Sequence, residues 1–216
     1  MLRPRRTLAL GVPVLVLSVA GAIFAWGQLQ PRPPGYAPTA RATEAAAASP
    51  AGRIAPGRLT LDARDKSAWA FVDIDGGRVL QSTFEGTEWD FAFRRTRLLT
   101  NSGTTNPAGA VGAIDLGEVT LETAIPPESP AFVVDALGGD DGDEPRNAAM
   151  SRWYHYDFIR HVVVPRPNVY LVRTSENQTA LVQFDSYYCD DGSPGCVTFR
   201  YRVVERAGTG DRAAGR

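Results

Sequence analysis

Ala68-Trp69-Ala70-Phe71-Val72-Asp73-Ile74, Asp75-Gly76-Gly77, Arg78 to Thr83, then Trp89-Asp90-Phe91-Ala92-Phe93: this stretch decides the fold class. Its first run is rich in aromatic and β-branched residues, which suit a pleated, half-buried surface. Trp69, Phe71 and Asp73 fall on one face, and Ala70, Val72 and Ile74 on the other. Asp75-Gly76-Gly77 is a tight-turn signal, so Arg78 to Thr83 is expected to return as the second arm of a hairpin. In Trp89 to Phe93 the large apolar residues alternate, which predicts a strand with one buried face.

Similar runs follow downstream. Arg95 to Thr100 and Phe132-Val133-Val134 read as strands. Asn168 to Thr174 and Thr179 to Tyr188 form a hairpin around Ser175-Glu176-Asn177-Gln178, and Val197 to Val204 closes the series. Asn101 to Gly112 and Gly138 to Arg146 are glycine-rich loops. No long run repeats at helical spacing, so the expected architecture is all-β, an antiparallel sheet or sandwich over residues 59–205.

Upstream lies a different chemistry. Arg3, Arg5 and Arg6 precede Leu8 to Trp26, a run of uncharged residues. A spanning helix needs about 20 apolar residues. Residues 1–26 therefore read as a transmembrane signal anchor, or as a signal peptide cleaved after Ala20-Gly21-Ala22. The arginines stay cytoplasmic, so the remainder is expected to be exported, and anchored to the inner membrane facing the periplasm if the run is kept. No cysteine follows the apolar run to carry a lipid. Residues 27–58 are rich in Pro and Ala with little apolar bulk, which predicts a disordered, extended linker. Residues 206–216 read as a polar tail.

The net charge of -1 argues against a nucleic-acid partner, which calls for a basic stripe. Lys66 is the lone lysine among 23 basic residues, a composition typical of a GC-rich coding sequence. No nucleophile elbow, phosphate loop or His-Glu-x-x-His motif is present, so an enzyme is not expected.

Four features carry possible chemistry. His155 and His161 are the only two histidines and flank one aromatic segment. On a continuous strand they would lie ~20 Å apart at about 3.3 Å per residue, too far to share a metal. A turn over Asp157 to Arg160 would let them converge, and neutral imidazole is a good iron or zinc ligand. The alternative is two ordinary polar residues at a sheet rim. Met150 offers a thioether, which ligates haem iron in some proteins but more often fills a core gap. Cys189 and Cys196 enclose a turn holding Gly192, Pro194 and Gly195, and an oxidising compartment favours a disulfide there. Asp140, Asp141, Asp143 and Glu144 match no EF-hand spacing and read as a solvated loop.

The order of these segments resembles that of the HmuY family of exported bacterial haem-binding proteins. The resemblance rests on Trp89-Asp90-Phe91-Ala92-Phe93-Arg94-Arg95, Thr100-Asn101-Ser102-Gly103-Thr104, Trp153-Tyr154-x-Tyr156, Val169-Tyr170-Leu171-Val172-Arg173, Tyr187-Tyr188 and Gly195-Cys196-Val197-Thr198-Phe199-Arg200-Tyr201. It implies an all-β fold and a haem cofactor held by two side chains, histidines in some members and methionines in others. It further implies haem taken from a haem-carrying protein and passed to an outer-membrane receptor. The axial candidates in this chain are His161, then His155, then Met150. Two other expectations stand beside this one. The first is a membrane-tethered periplasmic interaction domain with the same fold and no cofactor. The second is a carbohydrate or protein binder presenting Trp153, Tyr154 and Tyr156.

Overall fold

The computed structural model describes residues 18, 19, 21, 22, 25, 57–138 and 143–204. Ser18, Val19, Gly21, Ala22 and Ala25 are helical. Most of the anchor and linker, all of the tail, and Asp140 and Asp141 of the acidic loop lie outside the described residues. Among the described residues no helix is long and apolar enough to cross a membrane.

Thirteen strands form the described domain. They are β1 (Gly57–Asp62), β2 (Ala70–Asp73), β3 (Arg78–Leu80), β4 (Phe91–Arg94), β5 (Arg97–Thr100), β6 (Gly112–Glu118), β7 (Ala136–Gly138), β8 (Glu144–Arg146), β9 (Tyr154–Asp157), β10 (Val162–Pro165), β11 (Asn168–Arg173), β12 (Thr179–Tyr188) and β13 (Pro194–Val203). A five-stranded sheet runs β1-β13-β12-β11-β6, and a four-stranded sheet runs β3-β2-β4-β5. Two further hairpins, β9–β10 and β7–β8, complete the set, and every pairing is antiparallel.

The two larger sheets enclose the main core. Phe91 of β4 meets Phe199 of β13 with ring centroids 6.1 Å apart, and Phe93 meets Phe184 of β12 at 6.1 Å. Val72, Ile74, Tyr170, Val182 and Tyr201 are buried in the same cluster. Edge-to-face ring contacts of this kind add specific geometry to the burial.

β4 departs from the half-buried strand expected from its alternation. Phe91, Ala92 and Phe93 are all buried. The reason is a second apolar layer on the outer side of the four-stranded sheet, where Ala92 joins Phe71, Trp89 and Leu99 beneath Trp69, Leu80 and Phe84. The five-stranded sheet is likewise covered outside by Leu121, Ala124 and Phe132 against Val169, Leu171 and Leu181. Among the described residues no third sheet supplies either cover: Trp69 and Phe84 lie outside the strands beside Leu80 of β3, and Leu121, Ala124 and Phe132 lie in loops.

Other boundaries shift for reasons of pairing. Among the described residues β1 takes in two residues before 59, because Gly57 pairs with Tyr201 and Arg58 with Arg200. A β-carbon on Gly57 would collide with the Tyr201 ring, so only glycine lets the ring lie across the strand. β6 was not anticipated, since its Gly112, Asp115 and Gly117 hide any alternation; β11 recruits it as an edge. Phe132 to Val134 reduces to a single bridge, Ala113 with Val133.

The Thr100 to Thr104 motif is a fastening. Asn101 donates to the carbonyls of Trp89 at 2.8 Å and Gly86 at 3.1 Å. Buried Asp135 accepts from the backbone N–H and hydroxyl of Thr100 and from the Thr105 hydroxyl. Gly103 sits at φ 56° against the Asp135 carbonyl, a place that tolerates no side chain. Buried polar groups satisfied in this way hold a long loop in one conformation.

Candidate functional site: the β9–β10 hairpin

The hairpin's base is built from core residues. Trp153 is fully buried, and its indole N–H donates to the Thr96 carbonyl at 3.0 Å. Its ring lies 4.7 Å from Phe184 and 6.3 Å from Phe93. Tyr154 packs edge-on against it at 5.2 Å. The Arg166 N–H donates to the Trp153 carbonyl, and the Val163 N–H donates to the Tyr188 hydroxyl at 2.8 Å. Trp153 and Tyr154 are therefore structural, which corrects the expectation of a three-aromatic surface platform; Tyr156 alone of that trio is exposed.

The tip is different. β9 and β10 pair Asp157 with Val162, Tyr156 with Val163 and His155 with Val164. Asp157 makes the turn by accepting the backbone N–H groups of Ile159 at 2.9 Å and Arg160 at 3.0 Å. Those donors, with Arg160 and His155 nearby, hold its carboxyl below the usual carboxylate range. The turn over Asp157 to Arg160 is thus present. It leaves Phe158 79%, Ile159 54% and Tyr156 40% exposed, the large apolar side chains of one contiguous tip. Sequence reading passed over Phe158 and Ile159; an apolar pair inside an Asp-led turn was the available signal.

His161 follows at φ 56°, a left-handed conformation uncommon outside glycine. Its Nδ1 lies 3.0 Å from the Tyr156 hydroxyl, and the Tyr156 and Phe158 rings meet edge-to-face at 5.0 Å. Tyr156, Phe158 and His161 therefore share one side of the hairpin. His155 precedes Tyr156 directly, so the pleat turns it to the opposite side, consistent with its influence on Asp157. The hairpin brings the two histidines into one element but not onto one face. Met150 lies apart, fully buried in the main core.

Two other clusters of polar side chains lie apart from the hairpin. Cys189 and Cys196 form the expected disulfide, with Cα atoms 4.8 Å apart. A cleft of about 270 Å³ beside it is lined by Thr60, Asp62, Arg64, Asp190 and Asp191, whose carboxylates suit no apolar ligand. Asp73, Asp75 and Asp90, unforeseen from sequence, gather within 4.8 Å of one another. Each is already engaged: Asp90 accepts from the N–H groups of Ile74 and Ser175, Asp73 from Gly76 and Arg78, and Asp75 from Thr174 and Glu176. Burial pushes the Asp90 carboxyl up to about 7. These three acids join the β2–β3 turn and the start of β4 to the β11–β12 turn.

Solved structures with this architecture come from several bacteria. A lipoprotein candidate of Bacteroides fragilis superimposes with a TM-score of 0.53 at 20% identity, covering 71% of this chain and 91% of its own. The apo form of the HmuY analogue TFO from Tannerella forsythia gives 0.55 at 16%, covering 70% and 97%. A candidate HmuY-like haem-binding protein of Bacteroides vulgatus gives 0.52 at 21%, covering 69% and 92%. At these identities the likeness concerns the fold. No curated protein matches the chain. The family model described as HmuY protein matches residues 65–201, from the approach to β2 through most of β13 and across the whole β9–β10 hairpin, and on that match the chain belongs to the HmuY family.

Proposed function

We propose that this protein is an exported haem binder that holds its ligand on the tip of the β9–β10 hairpin. The carrying observation is the combination found there. An exposed apolar tip, Tyr156, Phe158 and Ile159, adjoins an imidazole held in a left-handed turn. A flat apolar macrocycle with a metal at its centre calls for such a surface: apolar area for the ring and a nitrogen or oxygen donor for the iron. Non-glycine residues in this backbone region cost of order 1–3 kcal/mol and gather at functional sites. Arg95 and Asn177 share this backbone region, so what singles out His161 is its place beside the aromatic tip.

His161 is the first donor in this reading, because it shares its face with the aromatic tip. His155, on the opposite face, is the second candidate, and Met150 would reach a ligand only if the core opened. Membership in the HmuY family and the likeness to a haem-binding candidate support the ligand class. Transfer of haem from a carrier protein to an outer-membrane receptor, with tethering through residues 8–26, completes the proposal. The Cys189–Cys196 disulfide fits an oxidising compartment.

Haemin titration of the full chain tests it. The expected result is a sharp, saturable Soret shift at one haem per chain, abolished in the His155→Ala, His161→Ala double variant. A weak, featureless shift indifferent to that variant would favour the other reading, a cofactor-free interaction domain whose exposed tip meets a protein.

A further inference from the structure

We propose that the outer face of the four-stranded sheet is a docking site for acidic side chains of a partner protein, built from Arg94 and Arg97 on the ring of Trp69. It stands independently of the haem reading.

The register brings the three residues together. Ala70 pairs with Phe93, and Arg94 pairs with Arg97. Trp69, the residue before Ala70, thus comes beside Arg94, which faces Arg97. The Arg94 guanidinium lies 4.6 Å from the Trp69 ring centroid, and that of Arg97 lies 5.5 Å away. The ring is itself held. It meets Phe84 edge-to-face at 5.4 Å, and Phe84 packs on Phe71 and Trp89. All three residues of the stack are half-buried. A guanidinium carried on an indole face is already oriented, and its planar N–H fork matches a carboxylate.

The charges are unevenly matched. Like charges directly opposite on neighbouring strands are destabilising. One carboxylate offsets the pair here: Glu144, 67% exposed, accepts from Arg97 at 3.1 Å. Among the described residues no carboxylate pairs with Arg94. Arg95, in the same turn, donates to the backbone carbonyls of Arg64 and Pro194. The β4–β5 turn therefore sets three guanidinium groups against one carboxylate. Glu144 shows the ligand class that the stack accepts, and a second carboxylate on Arg94 would complete the pattern. A single half-exposed ion pair is weak, so a lone small carboxylate would be held poorly. An acidic segment that meets Arg94 and competes with Glu144 for Arg97 gathers more than one such pair. The Thr96 carbonyl, which takes the Trp153 indole N–H, sets this turn against the base of the β9–β10 hairpin. A partner docked here stands next to that hairpin whether or not it holds haem.

Calorimetric titration of the full chain with hexaglutamate at low ionic strength tests the site. The parent is expected to bind saturably, and more weakly as salt is added. Arg94→Gln should weaken binding about fivefold, the worth of one well-placed exposed ion pair. Arg94→Lys should restore only part of it, because lysine has no planar fork. Glu144→Gln should bind more tightly, since it leaves Arg97 to the peptide. Unchanged affinity in Arg94→Gln, or the same loss in Arg78→Gln on the far strand β3, would overturn the proposal in favour of diffuse surface charge. Inorganic phosphate bound as tightly as the peptide would overturn the acidic-protein class.

Discussion

At the scale of single residues, Asp90 shows how position overrides composition. It is one of 24 acidic residues, and nothing local marks it out. Burial, reinforced by the charges of Asp75 and Asp73, raises its carboxyl from 3.8 to about 7, against the pull of two backbone N–H groups. The folded state thus binds a proton that the unfolded chain has released between those two values. Stability from this group is greatest at and below the unfolded value and declines as pH rises through about 7. The parent should therefore lose melting temperature from pH 5 to pH 8. In Asp90→Asn that slope should flatten, at a cost of about 1–3 kcal/mol for the N–H left without an acceptor. A slope of unchanged steepness in the variant would show that other groups carry the pH dependence.

At the scale of elements, the β12–β13 connection and the β9–β10 hairpin contrast usefully. The first is stapled by Cys189–Cys196 across seven residues of sequence. The second has no covalent closure and depends on Trp153 in the core and on the Asp157 turn. Reduction of the disulfide should lower stability by about 2–3 kcal/mol, since closing a short loop restricts the unfolded chain. Chemical denaturation with and without reductant measures it. The hairpin tip should be insensitive to that treatment, so haemin binding should survive reduction at temperatures where the domain stays folded. Coupled loss of both would mean that the β12–β13 turn positions the hairpin more tightly than the Tyr188 hydrogen bond to Val163 implies.

At the scale of the whole molecule, two sheets, each covered on both faces, enclose a core in which Met150 is fully buried. Met150→Ala should cost about 2–5 kcal/mol through the cavity it leaves. It should leave the haem spectrum of the folded protein unchanged; a spectral change beyond the loss of folded protein would make the thioether a ligand. Much of this molecule was legible in the residues alone. Alternation in Trp89 to Phe93 and the aromatic and β-branched enrichment of Ala68 to Ile74, with turn residues between strands, specify β structure because such side chains suit a pleated surface wherever the strand lies. Cys189 and Cys196 are close enough in sequence for a turn to bring them together, and the order of the aromatic and Asn-x-Gly-Thr segments pointed to the family. The tertiary structure alone decided what depends on distant partners. Asp90 meets Ser175 across 85 residues of chain, and Thr100 meets Asp135 across 35. Ala92 is buried because Phe71 and Leu99 of the neighbouring strands and Trp69, Phe84 and Trp89 outside them gather over that face of its sheet. The histidines were visible as a pair, but only the turn at Asp157 and the pairing of Tyr156 with Val163 set them on opposite faces and placed a phenol beside His161. Local sequence encodes the period of a strand; it does not encode which distant surface its two faces will meet.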